Sequence, residues 1–514
     1  MYRIAVGFIV ILGFAVGSPI LFGAESLGLS PLFTDNMVLQ SKVIFKVRVV
    51  NAPRGAEIEA NIAGKSFYGK TQTGADSVVE IGPLNPGGPY ELAVGVKGQA
   101  ATILLKNVLV GEVWVCSGQS NMQWTVNASA NADQVKAQAG NSKIRLFSVP
   151  RKTSNKPDSS LMGKWVECNS ESVGGFSAVG YHFGHKLNAD TGLPVGMINA
   201  SWGGTYAEAW TREEDLLESP TLETIITNQK QNLPGAIAKY KKDLEKHKKL
   251  AEEAKAAGKK IPNPPQNPEV GPNRPAVLFN GMIYPLLHFP IKGSIWYQGE
   301  ANAAQAHTYR TLLPVLIESW RKAWGQPDLP FYFVQLAPYM AIKTEPQESN
   351  WAELREAQLL TKLRVPNTGM AVITDVGDEK DIHPKKKAQV GERLALLALK
   401  NLYQKSVQAS GPQFKSLTID GNKALLEFSE VGSGLECKGE ELAGFTIAGP
   451  DRKFVNASAR IDGNKVVVQA ESVIQPVAVR FGWANFPVVN LWNKDGLPAS
   501  PFRTDEFKGL TGPR

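Results

Sequence analysis

Apolar and polar positions change period twice along this 514-residue chain. From about Leu27 to Asn107 the period is two: Val43, Phe45, Val47 and Val49 are interleaved with Ile44, Lys46 and Arg48. Glu57 to Ala63, Tyr90 to Val96 and Ala101 to Leu105 are further short runs between Gly and Pro turns, so 25–107 is expected to form a small β-sandwich-like domain. From about Val108 to Gln404 two periods alternate. Strand-type runs at Val113–Cys116, Ile144–Val149, Val195–Ala200, Gly293–Tyr297, Phe331–Leu336 and Met370–Thr374 are interspersed with helical patterns. The helices are expected at Ser177–Asn188, Thr308–Trp324, Asn350–Arg364 and Pro384–Tyr403. Such alternation predicts an α/β unit over 108–404, a mostly parallel sheet covered on both faces by helices. Period-two patterning returns at Ala424–Phe428, Phe445–Ile447, Lys465–Gln469 and Val477–Trp483, which predicts a second β-sandwich-like domain over 405–514. Its aromatic, loop-rich ending, from Trp483 to Arg503, is expected to pack on its neighbour rather than face a ligand.

An insertion over about 212–275 interrupts the α/β unit. Thr211 is placed to cap a short helix at Arg212–Glu218, and Ile237, Tyr240, Leu244, Ala251 and Ala254 mark a longer helix from Gly235 to Ala257. The Pro-rich stretch Ile261–Pro275 then returns the chain to the sheet. This insertion reads as a helical hairpin packed on the surface.

The formal charge of +8 changes little in this picture. Lys239 to Lys260 holds nine Lys against four acidic residues, so that one segment accounts for five of the eight net positive charges. Arg is not interleaved with aromatics there, so a solvated helix face is favoured and no nucleic-acid partner is expected. At the N-terminus, Arg3 precedes the apolar stretch Ile4–Val16 and the small residues Gly17, Ser18, Gly23 and Ala24. Residues 1–24 are therefore expected to be a cleaved secretory signal, and the mature chain an exported, periplasmic or secreted protein without a membrane span. Cys116, Cys168 and Cys437 have no framework spacing and imply no disulfide scaffold.

In a parallel sheet, ligands bind beyond the carboxyl ends of the strands, and the polar residues at those ends carry the chemistry. After Val113–Cys116 the chain breaks into Ser117-Gly-Gln-Ser-Asn-Met122. Gly118 relaxes the turn, and Ser120 stands between Gln119 and Asn121 as a candidate nucleophile. Later strand ends supply Ser201-Trp-Gly-Gly-Thr205, Gln298-Gly-Glu-Ala-Asn302 and Asp375 to His383. A serine nucleophile needs a base, and of the six His residues His383 is best placed. His247 lies in the insertion, His182 and His185 on a packing helix without matching metal ligands, and His288 at the wrong end of its strand; His307 is a minor candidate. Asp381-Ile-His-Pro384 sets the imidazole before a helix expected to begin at Pro384. Asp381 is the favoured acid partner, with Asp375 and Asp378 as alternatives. Oxyanion donors are available from the Ser120 backbone, from a backbone N–H in Gly203-Gly204, and from the side-chain amide of Gln298 or Asn302. Gln119, Asn121, Glu300 and Asn302 are expected to meet the substrate. Cys116, inside its strand, is the competing nucleophile and points into the core.

Gly118-Gln-Ser-Asn-Met122, Trp202-Gly-Gly-Thr205, Trp296-Tyr-Gln-Gly-Glu-Ala-Asn302 and Asp381-Ile-His-Pro384 resemble the blocks of the sialate O-acetylesterase family within the SGNH hydrolases. The resemblance extends to Phe33-Thr-Asp-Asn-Met-Val-Leu-Gln40 and Gly496-Leu-Pro-Ala-Ser-Pro-Phe-Arg-Thr504. It implies an SGNH-type, flavodoxin-like sheet, Ser120 as nucleophile, His383 as base, Asp381 as its orienter, and Gly203 with Gln298 as oxyanion donors. Two departures stand out: the wider superfamily has Gly-Asp-Ser where this chain has Gly118-Gln-Ser120, and it spaces the last Asp and His by three rather than two.

The resemblance implies a serine esterase that needs no metal or cofactor and removes O-acetyl groups from carbohydrates through an acetyl-enzyme. O-acetyl sialic acid, with the 9-position foremost, follows from the family name; acetylxylan or another polysaccharide fits the same chemistry. A non-catalytic glycan-binding protein has no use for this serine, histidine and amide set together. A serine peptidase would use the same dyad, but no peptidase serine block is present.

Overall fold

The computed structural model of the chain describes residues 27–70, 76–100 and 103–513. The expected leader, 1–24, and the start of the strand expected at Ala101 lie outside them.

One 16-residue strand, Ile103–Gly118, carries the architecture. Its first part pairs antiparallel with Gly87–Val96 and its middle runs parallel to Val38–Gln40. Its last part pairs in parallel with Val195–Ser201 on one side and Gly293–Tyr297 on the other. The border expected between 107 and 108 therefore falls inside a strand that both units share. Asn107 takes a left-handed φ of 57°, and the register shifts there, so the residue bulges the strand without ending it.

The α/β sheet has the order Val166–Cys168, Asn141–Ser148, Val195–Ser201, Ile103–Gly118, Gly293–Tyr297, Phe331–Val334, Thr368–Ala371. All neighbours are parallel except the first pair. The α/β class expected from the sequence is the one observed. Side chains of the shared strand alternate between two cores: Val113 and Val115 enter one, Trp114 and Cys116 the other. Helices Ala178–Thr191 and Lys387–Asn401 cover the second core with Phe183, Leu187, Val390 and Leu394. Ala306–Trp324 and Asn350–Arg364 cover the first with Leu313, Ile317, Trp320 and Leu354. Each fully buried Val, Leu, Ile or Phe among them stabilises by roughly 1.5–3 kcal/mol relative to exposure.

Parallel pairing also aligns the strand ends, because Gly118 is in register with both Ser201 and Tyr297. The polar segments that follow all three strands thus leave the sheet at one edge.

The C-terminal unit holds two four-stranded sheets and a two-stranded pair around Leu426, Val466, Phe481 and Phe502. It is fastened to helix Asn350–Arg364 by Arg355, which is fully buried and donates to the carbonyls of Ala484 (2.7 Å) and Asn485 (2.8 Å). Here the aromatic ending packs on its neighbour, as its composition suggested.

The insertion differs from expectation in two ways. Its long helix spans Glu223–Ala256 and begins twelve residues before Gly235, because Pro234 lies inside it. A proline removes one backbone donor, and this mostly exposed helix continues past it. The short helix Glu213–Glu218 is flanked by Arg212, while Thr211 donates its hydroxyl back to Ala207 O instead of capping. The Pro-rich return touches the long helix where His247 Nε2 meets Pro262 O at 2.8 Å. Among the described residues no helix is long and apolar enough to cross a membrane.

Candidate active site

The site begins where the shared strand stops. Gly118 has φ +134°, and a β-carbon there would lie 2.2 Å from the Tyr297 carbonyl oxygen. Only glycine permits that approach. Gln119 N then donates to Tyr297 O at 3.0 Å, and the chain turns into the one-turn helix Ser120–Gln123. Helix Ala178–Thr191 steadies the turn from behind: its cap, Ser177, donates its hydroxyl to Met122 O at 2.6 Å and accepts from Gly180 N.

Ser120 Oγ lies 2.9 Å from His383 Nε2, across 263 positions of sequence. The other ring nitrogen, Nδ1, is 3.2 Å from Asp381 Oδ1, and the same carboxylate oxygen accepts from His383 N at 2.9 Å. Trp124 stacks on the imidazole with centroids 4.8 Å apart and planes 14° from parallel. Burial by these neighbours holds the His383 pKa below 6.5; Asp381 opposes the shift and Lys387 adds to it. A neutral imidazole with one nitrogen on a hydroxyl and the other on a carboxylate is ready to accept a proton.

The two alternative acids are engaged elsewhere. Asp375 forms a paired salt bridge with Arg393 at 2.6 and 2.8 Å. Asp378 accepts from the backbone of Lys380 and Asp381, which shapes the loop and lowers its own pKa. Pro384 is not the first residue of the following helix, which starts at Lys387. The helix end therefore stands a turn further from His383 than its sequence suggested.

The oxyanion candidates divide. Ser120 N, at the first helical position, has no intrahelical acceptor. Gly203 lies against Ser120, since a β-carbon on it would be 3.2 Å from Ser120 Cβ. Its N–H donates to Gln123 Oε1 at 2.7 Å. Gln123 was missed in the sequence, although three residues after Ser120 on a helix is the same face. Gln298 does not reach the site. It is fully buried, donates to Thr205 O (3.2 Å) and Asn302 Oδ1 (2.7 Å), and accepts from the Tyr309 hydroxyl at 2.8 Å. The strand end turned its side chain inward, and both amide protons are committed. Asn302 is equally committed, to Ala207 N and to Glu208 Oε2.

The residues expected to meet substrate also prove to be supports. Gln119 Oε1 accepts from Ala301 N at 3.2 Å. Asn121 is 0% exposed; its Nδ2 donates to Glu300 Oε1 (2.5 Å) and to Ile382 O (3.0 Å), and its Oδ1 accepts from Lys387 Nζ. The second Glu300 oxygen is enclosed without a hydrogen-bond partner among the described residues, and burial raises the pKa of this carboxyl.

Of the competing groups, Cys116 is buried beneath the sheet with its thiol toward Ile198 O, and burial raises its pKa strongly. Burial likewise pulls His182 down to about 4. His307 is exposed and held through its backbone by Thr511.

Residues 110–241 and 281–400 match the family described as carbohydrate esterase, sialic acid-specific acetylesterase. The chain is 30% identical over 470 residues to the sialate O-acetylesterase of Mus musculus, covering 83% of each chain. It is 29% identical over 462 residues to that of Homo sapiens, with 83% of this chain and 81% of the human protein covered. Among solved structures, a carbohydrate acetylesterase from Xanthomonas citri superposes with a TM-score of 0.80 at 36% identity. That match covers 94% of this chain and all of the other.

Proposed function

The chain belongs to the family of sialic acid-specific carbohydrate acetylesterases, carboxylic ester hydrolases, and on that premise we propose that it removes O-acetyl groups from sialate-type sugars by acetyl transfer to Ser120. The observation that carries the mechanism is the 2.9 Å contact between Ser120 Oγ and His383 Nε2, with Asp381 on the far side of the ring.

In this reading Ser120 Oγ attacks the acetyl carbonyl while its proton passes to His383 Nε2. The imidazolium that forms is stabilised by Asp381. Charge collects on the former carbonyl oxygen, which the backbone N–H groups of Ser120 and Gly203 receive once Gln123 yields. The sugar oxygen leaves with the proton from His383. Water then gives its proton to His383 and attacks the acetyl-enzyme, releasing acetate and restoring the serine.

The test is acetate release from 4-nitrophenyl acetate and from a panel of O-acetylated sialic acids and acetylated xylans, with Ser120→Ala alongside. Release by the wild type, loss in the variant and preference for the 9-O-acetyl sialate support the reading in full. Preference for xylan moves the substrate to a polysaccharide with the same mechanism. Folded protein inactive across the panel argues for glycan binding instead. Export belongs to the same proposal. Arg3, the apolar Ile4–Val16 run and the small residues up to Ala24 support a cleaved leader, which N-terminal sequencing of the expressed protein checks.

A further inference from the structure

Three lysines follow the base in sequence, and they are not equivalent. Lys385 and Lys386 are exposed; Lys387 is 1% exposed and is the first residue of helix Lys387–Asn401. A cation there is disfavoured twice, by loss of water and by the positive end of the helix dipole. Packing alone does not account for it, because Leu or Met would fill similar space without either cost.

What Lys387 touches accounts for it better. Its ammonium donates to Asn121 Oδ1 and lies over the rings of Tyr297 (5.3 Å) and Trp124 (5.9 Å). The other end of that same Asn121 amide donates to Glu300 and to the carbonyl of Ile382. An amide between a cation and a carboxylate has one favourable orientation, oxygen toward the cation. Asn121 directly follows the nucleophile and Ile382 directly precedes the base, so this brace spans the Ser120–His383 gap.

We propose that Lys387 is a positioning residue of the esterase reaction: through Asn121 it ties the nucleophile's turn to the base's loop, and its charge sets the field in which His383 works. The inference rests on the Ser120–His383 reading above. The charged groups that act on His383 are Asp381, from its own loop, and Lys387, from the helix. Those that act on Lys387 are Glu300, beyond Asn121, and Asp381; burial outweighs them and pulls Lys387 down to about 7. Lys387 thus offsets Asp381 and keeps the imidazole neutral to lower pH than the carboxylate alone would allow.

The test compares Lys387→Met, Lys387→Gln and Lys387→Arg by NMR titration of labelled histidines and by pH–rate profiles. The His383 signal is assigned from its loss in His383→Gln. In Lys387→Met the His383 pKa rises by about half a unit to one unit, and the acid limb of kcat/KM moves up with it. There kcat falls roughly tenfold or more while KM changes less than about twofold, because geometry rather than binding is lost. Lys387→Gln keeps a donor for Asn121 without the charge, so it recovers part of kcat and retains the raised pKa. Lys387→Arg keeps the wild-type His383 pKa. If Lys387→Met does not fold, Lys387→Gln carries the comparison. An unchanged His383 pKa in either folded neutral variant, or a raised one in Lys387→Arg, overturns the proposal. The titration needs no turnover, so an inactive wild type would count against the esterase reading while the charge coupling is still measured.

Discussion

Gly118 meets the carbonyl of Tyr297 so closely that no side chain fits between the central strand and its neighbour at the point where Ser120 is presented. The contact is backbone on backbone, at φ +134°, so relaxation must move a strand. Gly118→Ala is expected to cost at least about 3 kcal/mol, from backbone strain and overpacking together. Gly204, in the same site at φ +73° but with nothing among the described residues within 4 Å of an added β-carbon, is the control. Its alanine variant pays only for the left-handed backbone, about 1–2 kcal/mol. Urea unfolding of the two variants measures the difference, and equal losses would show that the Tyr297 contact is not limiting.

Asp381 and His383 yield a prediction whose sign is fixed. In the proposed mechanism His383 acts as a base only when neutral, so kcat/KM is expected to rise with pH through its pKa, with the midpoint below 6.5 because burial leads the shift. Asp381 stabilises the protonated ring. Asp381→Asn is therefore expected to move the midpoint further toward acid while the plateau falls about 100-fold or more, since the imidazolium loses its partner. A pH–rate profile of both proteins checks direction and size together. A variant with an unaltered plateau would return the orienting role to another group.

Gln298 is the point at which sequence and structure part most clearly. It was expected to donate to an oxyanion, and it instead closes a buried network of Thr205, Asn302 and Tyr309. Gln298→Met leaves those partners unsatisfied and is expected to cost about 2–4 kcal/mol of stability. An oxyanion donor would behave differently, with kcat falling 100- to 1000-fold. The expected outcome is a lowered urea midpoint with kcat of the folded fraction reduced less than about tenfold. Measuring kcat and unfolding on one preparation separates the two.

These three cases mark how far the chain could be read. Strand ends were legible, because a parallel sheet gathers them at one edge whatever the side chains do. The meeting of Ser120, His383 and Asp381 at that edge followed from it and from the turn chemistry of Gly118. The direction of a polar side chain at a strand end was not legible: Asn121, Asn302 and Gln298 point inward, and their residue types carry no sign of it. Lys387 was hidden for a related reason. In Lys385-Lys-Lys387 the spacing is uniform, and only the start of the helix at Lys387, later than Pro384 implied, turns the third lysine inward. The first third of the insertion helix was hidden as well: the expected start at Gly235 follows directly on Pro234, which removes only one hydrogen bond and lies inside the helix.

Gln123 competes for one of the two backbone donors assigned to the oxyanion. Its Oε1 occupies the Gly203 N–H at 2.7 Å, in the place where a developing oxyanion would need that donor. In the proposed mechanism substrate displaces the amide, and a hydrogen bond of this kind is worth about 1 kcal/mol net. Removing the competitor should return that energy: Gln123→Ala is expected to raise kcat/KM toward a small ester such as 4-nitrophenyl acetate by about fivefold, with stability changed by less than about 1 kcal/mol. The gain is expected only if Gly203 is the donor. Were the amide of Gln123 itself to bind the substrate, the same variant would lose activity. The direction of the change therefore assigns the second half of the oxyanion site.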